Sequence, residues 1–363
     1  MLRRLEKGLR RLVLAAVSRR DGRALDDAFG EDLPDQPRIL LVRVDRIGDA
    51  IISTPVIREL RRRQPHAMID ILLGEKNEVV SPLLPGLDGR FVLRRLGAVA
   101  TLGDLRSNRY DVVINLHLNR SAGASLATRL VRGAEVINYP AADPFRADGS
   151  LAHAVVMTWR LLGPFGVGPI TEADASRHPL RLRLPAASAA FAQQLEAAYL
   201  GRGAAGRRVF LNVSASHPSR AWGAGRFGEL ARRLMADGCK VVLVGAPDDE
   251  STLHRAALLA GRDVVSLPTV ESYADFAATL SLADFIVTTD GSTAHLGAAL
   301  GRPLVVLYGR PETAKAWHPW GVPHRVAADT AGLDAIKPSL VHRLVDKLQL
   351  EAESLAPPEP SPP

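Results

Sequence analysis

Two runs of alternating strand and helix patterns, one before residue 176 and one after 207, predict an α/β protein of two parallel-sheet domains in tandem. Three observations carry that expectation. Short β-branched apolar runs recur, and each is followed by residues at helical spacing. Polar turns rich in Gly, Ser and Asp join one to the next. At 363 residues and 47% hydrophobic, the chain exceeds the about 250–300 residues that one core sustains.

Residues 1–36 read as a basic leader. Leu2, Leu5, Leu9, Leu12, Val13 and Ala16 fall at helical spacing, with Arg3, Arg4, Lys7, Arg10 and Arg11 largely elsewhere on the wheel. This is the pattern of an amphipathic helix lying on a membrane surface. Gly8 weakens such a helix, and a solvated N-terminal arm fits the same residues. Residues 1–20 carry +6 of the chain's net charge of +7, so the remainder is nearly neutral and a generic nucleic-acid-binding surface is disfavoured. A secretory signal fits poorly, because the apolar stretch 12–17 is short and Arg19-Arg20 follows it. No apolar run approaches the roughly 20 residues of a membrane-spanning helix. Cys239 is the single cysteine, which excludes an internal disulfide and a multi-cysteine zinc site, and fits a reducing compartment.

The N-terminal domain spans 37–175. ILLVRV at 39–44 is a strand, 50–63 a helix, MIDILL at 68–73 and DVVINL at 111–116 further strands. Pro55 either begins the regular part of the helix or bends it. The interdomain connection is placed at 176–207, with one helix near 191–199. Gly201, Gly203 and Gly206 there have GxGxxG spacing, but they precede a strand, whereas a dinucleotide fingerprint follows one and opens a helix.

The C-terminal domain spans 208–326. RVFLNVS at 208–214, a helix at 226–235, VVLVG at 241–245 and a helix at 252–260 lead to a strand at 285–287, a helix at 296–300 and a strand at 303–308. A C-terminal helix falls within 327–352, with Pro338 in its first turn and Leu340, Val341, Leu344, Val345 and Leu348 as its apolar face. The Pro-rich tail 353–363 reads as disordered.

Three polar turns follow predicted strands, where open α/β sheets place ligands. The first, Asp45-Arg46-Ile47-Gly48-Asp49, puts a carboxylate near a helix start, where it serves either as a cap or as a chemical group. The second, Ser214 to Trp222, offers hydroxyls and the Arg220 cation, which suit phosphate oxygens; a solvated loop has the same composition. The third, Asp290-Gly291-Ser292-Thr293-Ala294-His295, opens a helix whose free N–H groups attract phosphate, with Ser292 or Thr293 as its cap. An ordinary capped turn and a satisfied histidine at 295 are its plain alternative.

VRVDRIGDAIISTPVIRELRRRQPHAMIDIL at 42–72, SRAWGAGRFGELARRL at 219–234 and TTDGSTAHLGAALGRPLVVLYG at 288–309 resemble, in order and spacing, the signature regions of the heptosyltransferase family, glycosyltransferase family 9. The resemblance runs from about residue 38 to 350. It implies the GT-B fold, two Rossmann-like domains facing across a cleft. The N-terminal half would take a lipid-linked glycan acceptor, the lipopolysaccharide core, and the C-terminal half a nucleotide sugar, ADP-heptose. By motif position, Asp49 matches the general base. Arg220 matches a residue that meets the donor diphosphate, with Ser216 beside it. Asp290, Gly291, Ser292, Thr293 and His295 match the donor-site turn. Relatives often read Asp-Ser/Thr-Gly where this chain has Asp290-Gly291-Ser292, often carry lysine at 220, and some place an acidic ribose contact where Pro247 stands, leaving Asp248 as a weak substitute.

Such chemistry needs a carboxylate for the acceptor proton and stabilisation of the departing diphosphate. No metal-ligand cluster is evident, so cations and backbone N–H groups are expected in place of an ion, with no cofactor beyond the nucleotide-sugar co-substrate. The expected setting is cytoplasmic, peripheral on the inner membrane face through residues 1–20, without nucleic acid. A non-catalytic nucleotide-sugar-binding or scaffold protein of the same fold is the alternative.

Overall fold

The structure is a computed structural model that describes residues 23–29, 32–94, 98–118, 124, 127–129, 131, 134–139, 152–201 and 206–355. It divides into two compact units: one runs to Asp174 and adds Arg181–Arg183, the other holds Ala175–Leu180 and the described residues from Leu184 on.

The first unit contains β1 (Arg38–Arg43), α1 (Ile47–Ile52), α2 (Thr54–Arg63), β2 (Met68–Gly74), β3 (Gly89–Leu93), α3 (Ala98–Ser107), β4 (Val112–Asn115), β5 (Glu135–Asn138) and α4 (Ala154–Trp159). Its five strands pair in parallel in the order β3-β2-β1-β4-β5. Ile39, Leu40, Leu41 and Val42 of the central strand are fully buried, as expected of a parallel sheet covered on both faces. The helix expected at 50–63 is two helices. The Ser53 N–H bonds to Ala50 O and closes α1; α2 restarts with Pro55 in its first turn, where a missing N–H costs nothing.

Part of the leader docks on this unit. Leu25 and Phe29 are buried, the Phe29 ring lies 5.1 Å from Phe165, and Arg23 bridges to Ile137 of β5. The expected amphipathic helix at 1–20 and residues 356–363 of the expected tail lie outside the described residues, while 353–355, expected to be disordered, continue the last helix, which runs to Leu355. Among the described residues, no helix is long and apolar enough to cross a membrane.

The second unit contains α5 (Ala186–Leu195), β6 (Arg208–Asn212), α6 (Ala224–Ala236), β7 (Lys240–Val244), α7 (Glu250–Ala260), β8 (Val265–Ser266), α8 (Tyr273–Leu280), β9 (Phe285–Thr289), α9 (Ser292–Ala299), β10 (Leu304–Tyr308), α10 (Pro311–Trp317), β11 (His324–Ala328) and α11 (Pro338–Leu355). Six parallel strands run in the order β11-β10-β9-β6-β7-β8. α5 packs on α8, and the Trp320 indole donates to His178 O at 2.9 Å, so elements within 176–207 are built into this unit. Gly206 enters β6 at φ +102, so the glycine spacing there ends in a strand. Val341, Val345 and Leu348 of α11 join the core formed by Val209, Leu211, Phe227 and Leu230. Leu340, expected on that apolar face, is instead 36% exposed.

Candidate functional site

In the first unit, the candidate residues gather at the carboxyl end of β1. Asp49 is the third residue of α1, 9% exposed. Beside it lies Arg43, the last residue of β1 and 1% exposed. The Arg43 Nε–H donates to Asp49 O at 2.9 Å, one terminal nitrogen donates to Leu116 O, and the other lies 3.9 Å from Asp49 Oδ1. Asp45 Oδ2 stands 3.6 Å from Arg43 and 3.6 Å from the Nε2 of His117. The backbone is equally determined: Asn77, fully buried, donates to Arg43 O at 2.8 Å and accepts from Gly74 N at 2.8 Å.

These contacts set the charges. Burial pushes the Asp49 carboxyl up to about 6, with Asp45 adding to the rise while Arg43, Arg46 and the Arg46 N–H oppose it. Burial likewise pushes His117 down to about 4, so its imidazole is neutral, accepting from Val44 N–H at Nε2 and facing Asn115 Oδ1 at 3.0 Å with Nδ1. Asp49 is thus a buried carboxylate at a helix start whose proton affinity is raised toward neutrality.

Gly74 is required here by close approach. A Cβ on it would lie 2.6 Å from Val44 O, a backbone atom in the turn that leads to Asp49. Gly74→Ala is therefore expected to destabilise the protein by about 1–3 kcal/mol, the usual cost of overpacking, read as a lowered Tm in thermal unfolding.

In the second unit, loops from the carboxyl ends of β6 and β9 converge. Arg220 lies 3.3 Å from Asp290 Oδ2, joining two residues that stand 70 positions apart. Its loop is exposed over residues 216–219 but anchored at its end: Trp222 is fully buried, packs edge-on against Phe227 at 5.0 Å and donates to Ile336 O at 2.9 Å. The His217 imidazole accepts from Ser219 N–H and caps the turn Pro218–Arg220.

The start of α9 departs from expectation in one respect. Neither Ser292 nor Thr293 caps it; the cap position is Gly291, which has no side chain to offer. The Thr293 hydroxyl instead accepts from Asn212 Nδ2 at 3.2 Å, and the same nitrogen reaches Thr288 Oγ1 at 3.1 Å. Asn212 thereby ties β6, β9 and α9 together, and the start of α9 has no side-chain cap, while the Ala294 N–H bonds to Gly291 O at 3.2 Å. The Tyr273 hydroxyl is buried against Ser292.

His295 is 6% exposed, lies 6.2 Å from the Trp317 ring, and is held neutral by burial and by His318, its pKa pushed down to about 4. Its Nδ1 has no hydrogen-bond partner, so it is not a satisfied core histidine. Arg43, Asp45 and Asn212 also carry a buried polar atom without a partner. Such atoms cost about 1–3 kcal/mol each, and the described residues carry others away from these two places, at Arg38 and Arg129 among them.

Ser216 and Asp248 are exposed on the loops after β6 and β7, and neither joins the Arg220–Asp290 pair. Away from the strand ends, Asp237, His342 and Asp346 bring ligand-type atoms within 4.8 Å of one another; His342 is already paired with Asp237, pinning α11 to α6.

Sequence reasoning had not singled out Arg43, His117 or Asn212. The available signal was position, since each lies at or just beyond the carboxyl end of a strand.

The family model described as "Glycosyltransferase family 9 (heptosyltransferase)" matches residues 100–329. Lipopolysaccharide heptosyltransferase 3 of Escherichia coli is 23% identical over 295 residues, covering 75% of this chain and 83% of that protein. Among solved structures, the family 9 glycosyl transferase of Veillonella parvula superposes with a TM-score of 0.73 at 21% identity, over 87% of this chain and 97% of that one. The E. coli heptosyltransferase WaaC with ADP gives 0.65 at 21% identity, over 88% and 100%.

Proposed function

Because this chain belongs to glycosyltransferase family 9, the heptosyltransferase family, we propose that it transfers heptose from ADP-heptose to a lipopolysaccharide-core or related glycolipid acceptor, with inversion at the anomeric carbon. One observation carries the mechanism: a buried aspartate, Asp49, with its proton affinity raised to about 6 beside a guanidinium. The acceptor hydroxyl oxygen would form the new bond to the anomeric carbon while its proton passes to Asp49. The bond from that carbon to the diphosphate oxygen would break, its electron pair leaving with the nucleoside diphosphate.

Arg220 and the uncapped start of α9 would receive the charge that develops there. Arg220 has five N–H donors, enough to keep Asp290 on one edge while meeting phosphate with another, so Asp290 would aim the cation. Thr293, held by Asn212, and the neutral His295 would shape the same turn. Ser216 and Asp248 are assigned the outer, exposed part of donor recognition. A lipid-linked acceptor would place the reaction at the cytoplasmic membrane face, with the leader as a peripheral contact.

Incubation with ADP-heptose and a heptose-deficient lipopolysaccharide acceptor tests this reading; transfer supports it, and absence of both transfer and nucleotide-sugar binding ends it. The pH profile is a second test. A base must be ionised, so kcat/KM is expected to climb through about pH 6 and level off above it. A profile flat from about pH 5 to about pH 8 would remove Asp49 as the base.

A further inference from the structure

We propose that Arg43 is the positioning residue of this enzyme: from beneath Asp49 its guanidinium binds the backbone carbonyl and faces the carboxylate of that same residue, fixing where the base points. The inference rests on the reading of Asp49 as the base. Its ground is geometric. One fork spans 2.9 Å to Asp49 O and 3.9 Å to Asp49 Oδ1, while a third nitrogen is anchored on Leu116 O at the end of β4.

The guanidinium cannot drift, because its strand is central and it is itself buried. The nitrogen aimed at the carboxylate has no hydrogen-bond partner. At 3.9 Å it attracts Asp49 without forming a hydrogen bond to it, which leaves that side of the carboxylate able to accept a proton from an acceptor hydroxyl.

Other charges around Asp49 cannot take over this work. Asp45, in the turn after β1, is itself an anion and repels Asp49; its other contact is His117, beyond β4, which is neutral. Arg46, at the helix cap, contributes attraction, but less than Arg43. From the side of the turn Glu78–Leu83 the polar group is Asn77, and Glu78 is engaged with Arg94. From α1 itself, the Ser53 hydroxyl donates to Asp49 O rather than to the carboxylate. Arg43 is therefore the chief source of positive potential at the base.

The test compares pH profiles of kcat/KM, with nuclear magnetic resonance titration of the Asp49 carboxyl, in wild type, Arg43→Lys and Arg43→Met, with Asp49→Asn as reference. In Arg43→Met the acid limb is expected to move up by about 1–3 pH units, so the loss of rate is greatest on the acid side. Arg43→Lys retains a charge but not the planar fork: the limb should stay within about half a unit of wild type while kcat falls roughly tenfold.

An Arg43→Met limb in its wild-type place, or a lysine variant with wild-type kcat, would overturn the proposal. Equal loss at every pH with normal titration of Asp49 would do the same, because it would mean a merely structural arginine. If the methionine variant does not fold, the lysine variant decides alone. Should Asp49→Asn keep full activity, the base assignment itself fails, whatever Arg43 does.

Discussion

Replacing Asp49 with asparagine is expected to lower sugar transfer about 10²- to 10⁴-fold, the range spanned by a positioned general base, while binding of the nucleotide sugar stays at its wild-type value. The asparagine keeps the shape of the protonated acid but cannot take a proton. The same substitution is expected to stabilise the fold at neutral pH. Asp49 has a folded-state pKa of about 6 against the ordinary 3.8, so the native protein holds this proton more tightly than the unfolded chain. Stability from this group therefore falls as pH rises between those two values, and above both the penalty amounts to about 3 kcal/mol. The Tm advantage of Asp49→Asn over wild type should be small near pH 4 and fully developed near pH 7. An inactive variant whose advantage over wild type is no larger at pH 7 than at pH 4 would show that the carboxylate is not under this strain.

Arg220→Ala should weaken nucleotide-sugar binding about 10- to 100-fold by calorimetric titration, since a charge-assisted hydrogen bond contributes about 1.5–3 kcal/mol. The loss has a second component. Asp290, now 3.3 Å from Arg220, would then face the diphosphate without that cation between them. Adding Asp290→Asn to the alanine variant is expected to recover part of the affinity. No recovery would mean that Asp290 does not face the ligand, and undiminished affinity in the single variant would mean that Arg220 does not reach it. Trp222 and the turn capped by His217 hold the loop independently of the Arg220 side chain, so the alanine variant should keep its fold.

How much of this was legible in the residues follows from burial. The central strands β1, β2, β4, β6, β7, β9 and β10 announce themselves as continuous apolar runs because both of their faces are covered. The four edge strands, β3, β5, β8 and β11, were not anticipated. Each pairs with a strand on one side only, and residues such as Arg90, Glu135, Ser266 and Arg325 interrupt their apolar character. The break at Ser53 was narrowed to two options by Pro55 and resolved only by which backbone groups paired.

The site divides along similar lines. Asp49, Arg220 and Asp290 stand in polar turns after strands, where residue type and position both draw notice. Arg43 and Asn212 sit inside runs that read as strand, ILLVRV and VFLNVS, and a one-dimensional pattern does not say that their side chains turn toward a loop. Pairings such as Asn212 with Thr293 link residues 81 positions apart and exist only once the sheet is assembled.

The indole of Trp222 reaches Ile336, just ahead of α11, and both belong to the apolar core that α11 completes. The loop that carries Arg220 is thus moored to the far end of the chain. If Arg220 meets the donor as proposed, its aim depends on the last helix staying seated, and trimming that helix is expected to weaken sugar-nucleotide binding.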